Sequence, residues 1–222
     1  MDSVIIKIAE ITKKYSAVAK VILFGSRARG DNTSKSDYDI AINAPSIDIS
    51  TKNLLLDEIE QVDTLHKMDI VFISSKTDNK LLENIQRDGK IIMDKFQIKL
   101  GNYEKAISRL HEAIDESKEN NSMTVRDGVI QRFEFTTELA WKTIREYLLS
   151  LEVTDINNPR AVMKEAFNND IVTKEDGWIQ ILRDRNSTSH IYDEDEADEI
   201  YERIVNEHIS LFDDLLNVLK SK

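Results

Sequence analysis

The sequence predicts an α+β protein in two parts: a small mixed sheet with flanking helices, followed by an all-α up-and-down bundle. Three observations carry this. Helix-spaced and alternating apolar segments take turns over residues 1–96, as a small mixed domain requires. From Tyr103 to Lys222 no convincing strand pattern occurs, and the apolar residues recur at helical spacing. The charge is also uneven: residues 1–96 hold 14 Lys/Arg and 15 Asp/Glu, a net of −1, whereas residues 97–222 hold 16 and 26, a net of −10. Two surfaces of different character suggest two units, here 1–96 and 101–222, with a short boundary between them.

Each element has its own signal. Val4, Ile5, Ile8, Ile11 and Tyr15 repeat at helical spacing, with Ser3 as the expected cap. The run 18-VAKVILFG-25 reads as a strand ending at a glycine, and 37-DYDIAIN-43 alternates as a second strand. Helical spacing returns in 51–62, a third strand in 68-MDIVFIS-74, a short helix in 80–89, and a short edge strand in 90-KIIMD-94. The second half predicts helices over roughly 102–119, 124–151, 159–169, 174–189 and 195–220. On the second of these, Ile130, Phe133, Thr137, Trp141, Ile144 and Leu148 share one face, most simply a core face.

Composition excludes several classes. At 41% apolar and 32% charged residues the chain can bury a core and keep a solvated surface. It has no Cys, so disulfides and thiolate metal sites are excluded, and four scattered histidines make a poor zinc site. The first residues lack the basic start and unbroken apolar core of a signal peptide, and no apolar run is long enough to span a membrane. A cytoplasmic protein is expected. The acidic second half is a poor general surface for nucleic acid, whose phosphates attract Lys and Arg.

The stretch 24-FGSRARGDNTSKSDYDIAI-42 carries the first chemistry. Residues two apart on a strand project to one face, so Asp37 and Asp39 are expected to project together. Two ionised carboxylates that close repel unless a cation compensates, and Mg²⁺ is commonly held by carboxylates plus substrate phosphates. A Gly25–Ser26 turn entering a helix offers N–H groups and a hydroxyl to phosphate oxygens. Arg27 or Arg29 is suited to neutralise triphosphate charge, and Asp69 opens the third strand, where pairing beside the second would complete a three-carboxylate cluster. A D-x-D pair alone is a weak signal, since most such pairs are solvated surface carboxylates. The combination of strand, Gly-Ser, ten residues, Asp-x-Asp on a second strand and Asp on a third is far more specific.

On these residues, 1–96 resembles a minimal nucleotidyltransferase (MNT) domain of the DNA polymerase β-like superfamily. The resemblance implies ATP as substrate and Mg²⁺, with two ions, as cofactor. It assigns Asp37, Asp39 and Asp69 to the metals and to catalysis, and Gly25, Ser26 and Arg27 to the nucleotide. AMP, or another NMP, would pass to an acceptor.

The second motif is 183-RDRNSTSHIYDEDEA-197. Arg185 and His190 stand five apart, about 500° around a helix axis, so a helix end or bend is needed for them to converge. An Arg and a His at one phosphodiester can cut RNA, the His as acid or base and the Arg against the charged transition state. A hydrolase triad from Ser187 or Ser189 with His190 and Asp193 is rejected, because residues so close in sequence seldom converge that way. The acidic run 193–199 is most simply a solvated helix start.

The stretches 126-RDGVIQRFEFTTELAWKTIREYL-148, 178-WIQILRDRNSTSHIYDE-194 and 200-IYERI-204 resemble the HEPN family, in its nucleotidyltransferase substrate-binding branch. That resemblance implies a helical bundle, a homodimer formed through it, and an R-x(4–6)-H ribonuclease motif onto which Arg185, Asn186 and His190 map. HEPN and MNT proteins commonly pair as toxin and antitoxin, the MNT partner adding AMP to a tyrosine in R-x-x-x-x-H-x-Y. Tyr192 occupies that position, and AMP there would block RNA by size and charge. Here both parts lie in one chain, which tethers modifier to target at high effective concentration. Two alternatives follow: an active RNase governed by the MNT half, or a binding module presenting a small molecule or an RNA end to the transferase.

Overall fold

The computed structural model describes residues 2–120, 122–151, 153–188 and 194–222. The chain divides into two compact units, Met1–Lys95 and Phe96–Lys222, the first α+β and the second helical.

The first unit starts with α1 (Ser3–Lys14), whose buried stripe of Val4, Ile5, Ile8 and Ile11 is the predicted one. Its cap is Asp2, not Ser3: the Asp2 carboxylate accepts from the Val4 N–H at 2.9 Å, and Ser3 is already helical. β1 (Lys20–Phe24) leads straight into the short α2 (Gly25–Arg29), then a loop and β2 (Tyr38–Asn43). α3 (Ile49–Glu60), capped by Asp48, crosses over to β3 (Met68–Ile73). α4 (Asn79–Asp88), capped by Asp78, precedes β4 (Lys90–Asp94).

The sheet order is β3-β2-β1-β4. β1 is antiparallel to both neighbours, whereas β2 and β3 are parallel, which is why a crossover helix joins them. α1 packs on α3 and β4, while α2 and α4 pack on each other and on β1. Phe24 and Ala41 from the sheet bury with Ile85 of α4, and Ile22, Val71, Ile73 and Leu81 close round them. This cluster lies on the Asp39 and Asp69 side of the strands, by the period of two.

In the second unit α5 (Lys95–Glu119) follows β4 directly, so the helix expected at 102 begins seven residues earlier. The reason is a stripe at Phe96, Leu100 and Tyr103, all buried, which continues the helical period back to the strand. α6 (Met123–Ser150), α7 (Pro159–Asn168) and α8 (Glu175–Ser187) follow the predicted spans closely. The last predicted helix is α9 (Glu194–Arg203), a π-helical turn at Ile204–His208, and α10 (Ile209–Lys220). One core built on Tyr103, Phe133, Ile144, Leu148 and Phe212 holds the bundle. Among the described residues no helix is long and apolar enough to cross a membrane.

Candidate active site of the first unit

The register puts Asp39 opposite Asp69 across the parallel β2–β3 pair and opposite Phe24 across β1. Asp39 therefore stands next to the β1–α2 corner. Gly25 sits at that corner with φ +68°, and a Cβ added there would lie 2.1 Å from Asp39 Oδ2. Glycine is required twice over, for the left-handed backbone and for the close approach of the carboxylate.

Asp39 is half-buried, and among the described residues no hydrogen bond reaches its carboxylate. Burial first, then the charges of Asp69 and Asp37, push its carboxyl above the usual range, against the opposing pull of Arg29 and Lys67. A carboxylate so placed favours an added cation. Asp69 is half-exposed and already meets one, since Lys67 Nζ lies 2.5 Å from its Oδ1. Lys67 carries no signal in the sequence: it precedes β3, which starts at Met68, so no strand alternation ties it to Asp69.

The three predicted carboxylates are not gathered equally. Asp37 precedes β2, which starts at Tyr38, and it is exposed, so the alternation that aligns strand residues does not bind it to Asp39. Among the described residues no three Asp, Glu, His or Cys side chains lie close enough together to hold a metal ion by themselves. The donor set of Asp39 and Asp69, with Asp37 near, fits a hard divalent ion that takes its remaining oxygens from substrate and water. The Ser26 hydroxyl meets no described partner, while its carbonyl accepts from Gly30 and Asp31 N–H at 2.8 and 3.2 Å, which closes the turn.

Arg27 has another task than the one expected of it. Its Nε donates to the Ser36 and Asp37 carbonyls at 3.1 Å each, its Nη2 donates to Ser36 O at 2.7 Å, and its guanidinium lies 3.8 Å from the Tyr38 ring centroid. Its side chain is only 11% exposed, so it pins the loop before β2 and is not free for a triphosphate. His66 holds the same loop from the other side, Nε2 donating to Ser34 O at 2.8 Å. Arg29 is more open and pairs with Asp31 and Asp88.

In the helical unit Arg185 ends α8, with Nη2 donating to Glu138 Oε1 at 3.0 Å and Nη1 to Asn186 Oδ1 at 3.4 Å. Glu138 also pairs with Lys142 at 2.9 Å. Thr188 donates to Glu134, so α8 is laced to α6 along this side. His190 and Tyr192 lie outside the described residues. The neighbouring Asp184 forms a network that the sequence did not reveal. It is 3% exposed, accepts both Nε and Nη2 of Arg203 at 2.9 Å, and accepts from His208 Nε2 at 2.7 Å. His208 is fully buried in the π turn, stacked on Phe133, with Nδ1 unpartnered. Nothing in the spacing of Asp184, Arg203 and His208 signals this, because the packing of α8 against the last helix brings them together.

A mixed sheet with aspartates in register on adjacent strands, one of them over a glycine corner, defines the nucleotidyltransferase class. Residues 6–98 match the family described as polymerase beta, nucleotidyltransferase, and residues 98–221 match the one described as nucleotidyltransferase substrate binding protein like. The second match spans more than half of the chain, and the chain belongs to the nucleotidyltransferase substrate binding protein like family, with a polymerase beta nucleotidyltransferase domain ahead of it.

Among solved structures, a Thermus thermophilus protein is 31% identical, with TM-score 0.49 over 53% of this chain and 98% of its own. A Haemophilus influenzae protein, described as revealing the fold of a substrate binding domain of a nucleotidyltransferase, is 23% identical, with TM-score 0.49 over 55% of this chain and 98% of its own. No curated protein matches significantly.

Proposed function

We propose that the chain moves AMP from ATP to an acceptor hydroxyl with Mg²⁺ as cofactor. The observation that carries this reading is Asp39 set over Gly25 and in register with Asp69. The acceptor oxygen attacks the α-phosphorus, the α–β P–O bond breaks, and pyrophosphate leaves with the electron pair. Asp69 takes the acceptor proton, and Lys67 beside it steadies the charge before substrate enters. Asp39 and Asp69, with Asp37 at the rim, would hold the metal, which when bound stabilises the attacking and leaving oxygens. Ser26 and the backbone of the Gly25 corner bind phosphate.

The acceptor in this reading is Tyr192, two residues past His190, as in an MNT–HEPN toxin–antitoxin pair joined in one chain. AMP on Tyr192 silences RNA cleavage by Arg185 and His190. Incubation with α-labelled ATP tests it: wild type takes up label, and Asp39→Asn falls by at least about 100-fold. Label on Tyr192→Phe equal to wild type discards the tyrosine. Arrested growth on expression of Asp39→Asn, relieved by Arg185→Ala with His190→Ala, is the expected sign of ribonuclease activity. The bundle dimerises in this reading, which sedimentation velocity checks.

A second reading is favoured by the engagement of Arg185 with Glu138 and Asn186, and by the family match of the bundle. Here the helical unit binds a small acceptor for the transferase, and label appears on that molecule and not on protein.

A further inference from the structure

Lys67 stands at the start of the parallel β2–β3 pair, and its main chain is fixed there. Its carbonyl accepts the Tyr38 N–H at 2.9 Å. The residue before it, His66, bonds to Ser34 O at 2.8 Å and sets its ring edge-on to Tyr38, with centroids 5.6 Å apart. The Lys67 side chain is by contrast 67% exposed. From that fixed base it reaches the Asp69 carboxylate at 2.5 Å.

No other cation does this. Among the described residues it is the one ion pair made by any of Asp37, Asp39 and Asp69. The arginines nearby are committed elsewhere, Arg27 to the Ser36 and Asp37 carbonyls and Arg29 to Asp31 and Asp88. The Lys67 charge is also felt beyond Asp69. It opposes the upward push on the Asp39 carboxyl. In return the Asp69 pairing first, then the charges of Asp37 and Asp39, hold the Lys67 amine above the ordinary lysine range, against desolvation. One ammonium serves three aspartates.

The pair is made to be exchanged. Between side chains 67% and 44% exposed a salt bridge is weak, because water screens it. A lysine ammonium is a compact point charge on a flexible stem, with donors free to turn to a new partner. A triphosphate carries more charge than one carboxylate and competes for it.

We propose that Lys67 is an exchangeable counter-ion that couples metal binding to nucleotide binding. It holds Asp69 until a triphosphate enters. It then passes to the phosphate oxygens and leaves both Asp69 oxygens to the divalent cation. While on Asp69 the ammonium repels a second cation there, and once released it attracts the phosphates. Metal and nucleotide therefore each raise the affinity for the other, and the coupling is reciprocal. Asp69 is free to take a proton only after nucleotide has drawn Lys67 away. The inference rests on the proposed transferase function, but its test reads binding and not transfer.

That test uses the full chain with Mn²⁺ as the probe, its free fraction read by electron paramagnetic resonance. The nucleotide is α,β-methylene-ATP, whose α–β bridge cannot be cleaved. Lys67→Met keeps the length of the side chain and removes its charge. Without nucleotide, Lys67→Met is expected to bind Mn²⁺ about five-fold more tightly than wild type. In the presence of a chelator it binds the analogue about five-fold more weakly. The gain in Mn²⁺ affinity on adding the analogue is then smaller than in wild type. Lys67→Arg, which keeps the charge, restores weak Mn²⁺ binding alone and strong binding with the analogue. A lysine that only props the loop would weaken both ligands together or neither. Equal Mn²⁺ affinity in Lys67→Met and wild type, or Mn²⁺ and analogue weakened together, overturns the inference and leaves the transferase reading standing. Mn²⁺ held by neither protein, with or without the analogue, overturns both.

Discussion

Gly25 and Gly30 both have positive φ, +68° and +87°, yet only Gly25 has Asp39 against it, and a Cβ at Gly30 would meet nothing within 4 Å. Alanine therefore separates strain from chemistry. Gly30→Ala is expected to cost about 1 kcal/mol in urea denaturation and to retain transfer. Gly25→Ala costs more, and displaces the Asp39 carboxylate, so transfer from labelled ATP falls by about 100-fold or more. Asp39→Asn behaves in the opposite way towards stability. It removes a charge that burial and two neighbouring carboxylates disfavour, so the thermal midpoint stays level or rises while activity is lost. On the proposed function, Mg²⁺ with ATP is expected to raise the midpoint of the wild type and not that of Asp39→Asn, which a thermal scan with and without them checks.

At the scale of elements, caps and buried pairs decide which helices hold. The Asp78 carboxylate accepts from the Leu81 N–H at 3.1 Å and starts α4, which covers the aspartate face of the sheet. Asp78→Ala is expected to cost about 1 kcal/mol by urea denaturation. The Asp184 network joins α8 to α9 and the π turn, and it shapes the acid limb. Burial works to raise the Asp184 carboxyl, but hydrogen bonds from His208, Arg203 and Gln180 outweigh it and hold it below the usual 3.8. The unfolded chain then takes up the proton first, so this stability is fully present above about pH 4 and is lost as pH falls through the folded value. Asp184→Asn removes that limb and leaves Arg203 and His208 facing a neutral amide, at a cost of about 3–5 kcal/mol at pH 7. Elements were legible wherever local pattern sets them: the four strands and the stripes of α1 and α6 fall where the periodicities put them. The start of α5 was not, because Phe96 and Leu100 read equally well as a linker until Tyr103 is seen buried beside them. Nor was the π turn, since Ile200 and Ile204 stand four apart as it begins and carry no sign of the wider turn that follows.

For the whole molecule, charge is the readable property. With a net charge of −11 at pH 7 and a sequence pI near 4.9, solubility is expected to be lowest near pH 5 and to recover on either side, as turbidity across a pH series will record. The division into an α+β unit and a helical unit was likewise written in the chain, because the period of apolar residues changes from mixed to purely helical after the fourth strand. By itself the sequence determined the two-part organisation, the strand positions of Asp39 and Asp69, and the glycine at the corner, since alternation, turn chemistry and spacing are properties of neighbours along the chain. Only the tertiary structure decided that Asp39 lies over Gly25 and beside Asp69, that Arg27 is spent on the loop, and that Asp184, Arg203 and His208 form one buried network. Each of these depends on which strands pair and which helices pack, and residues far apart in sequence carry no local signal of their meeting.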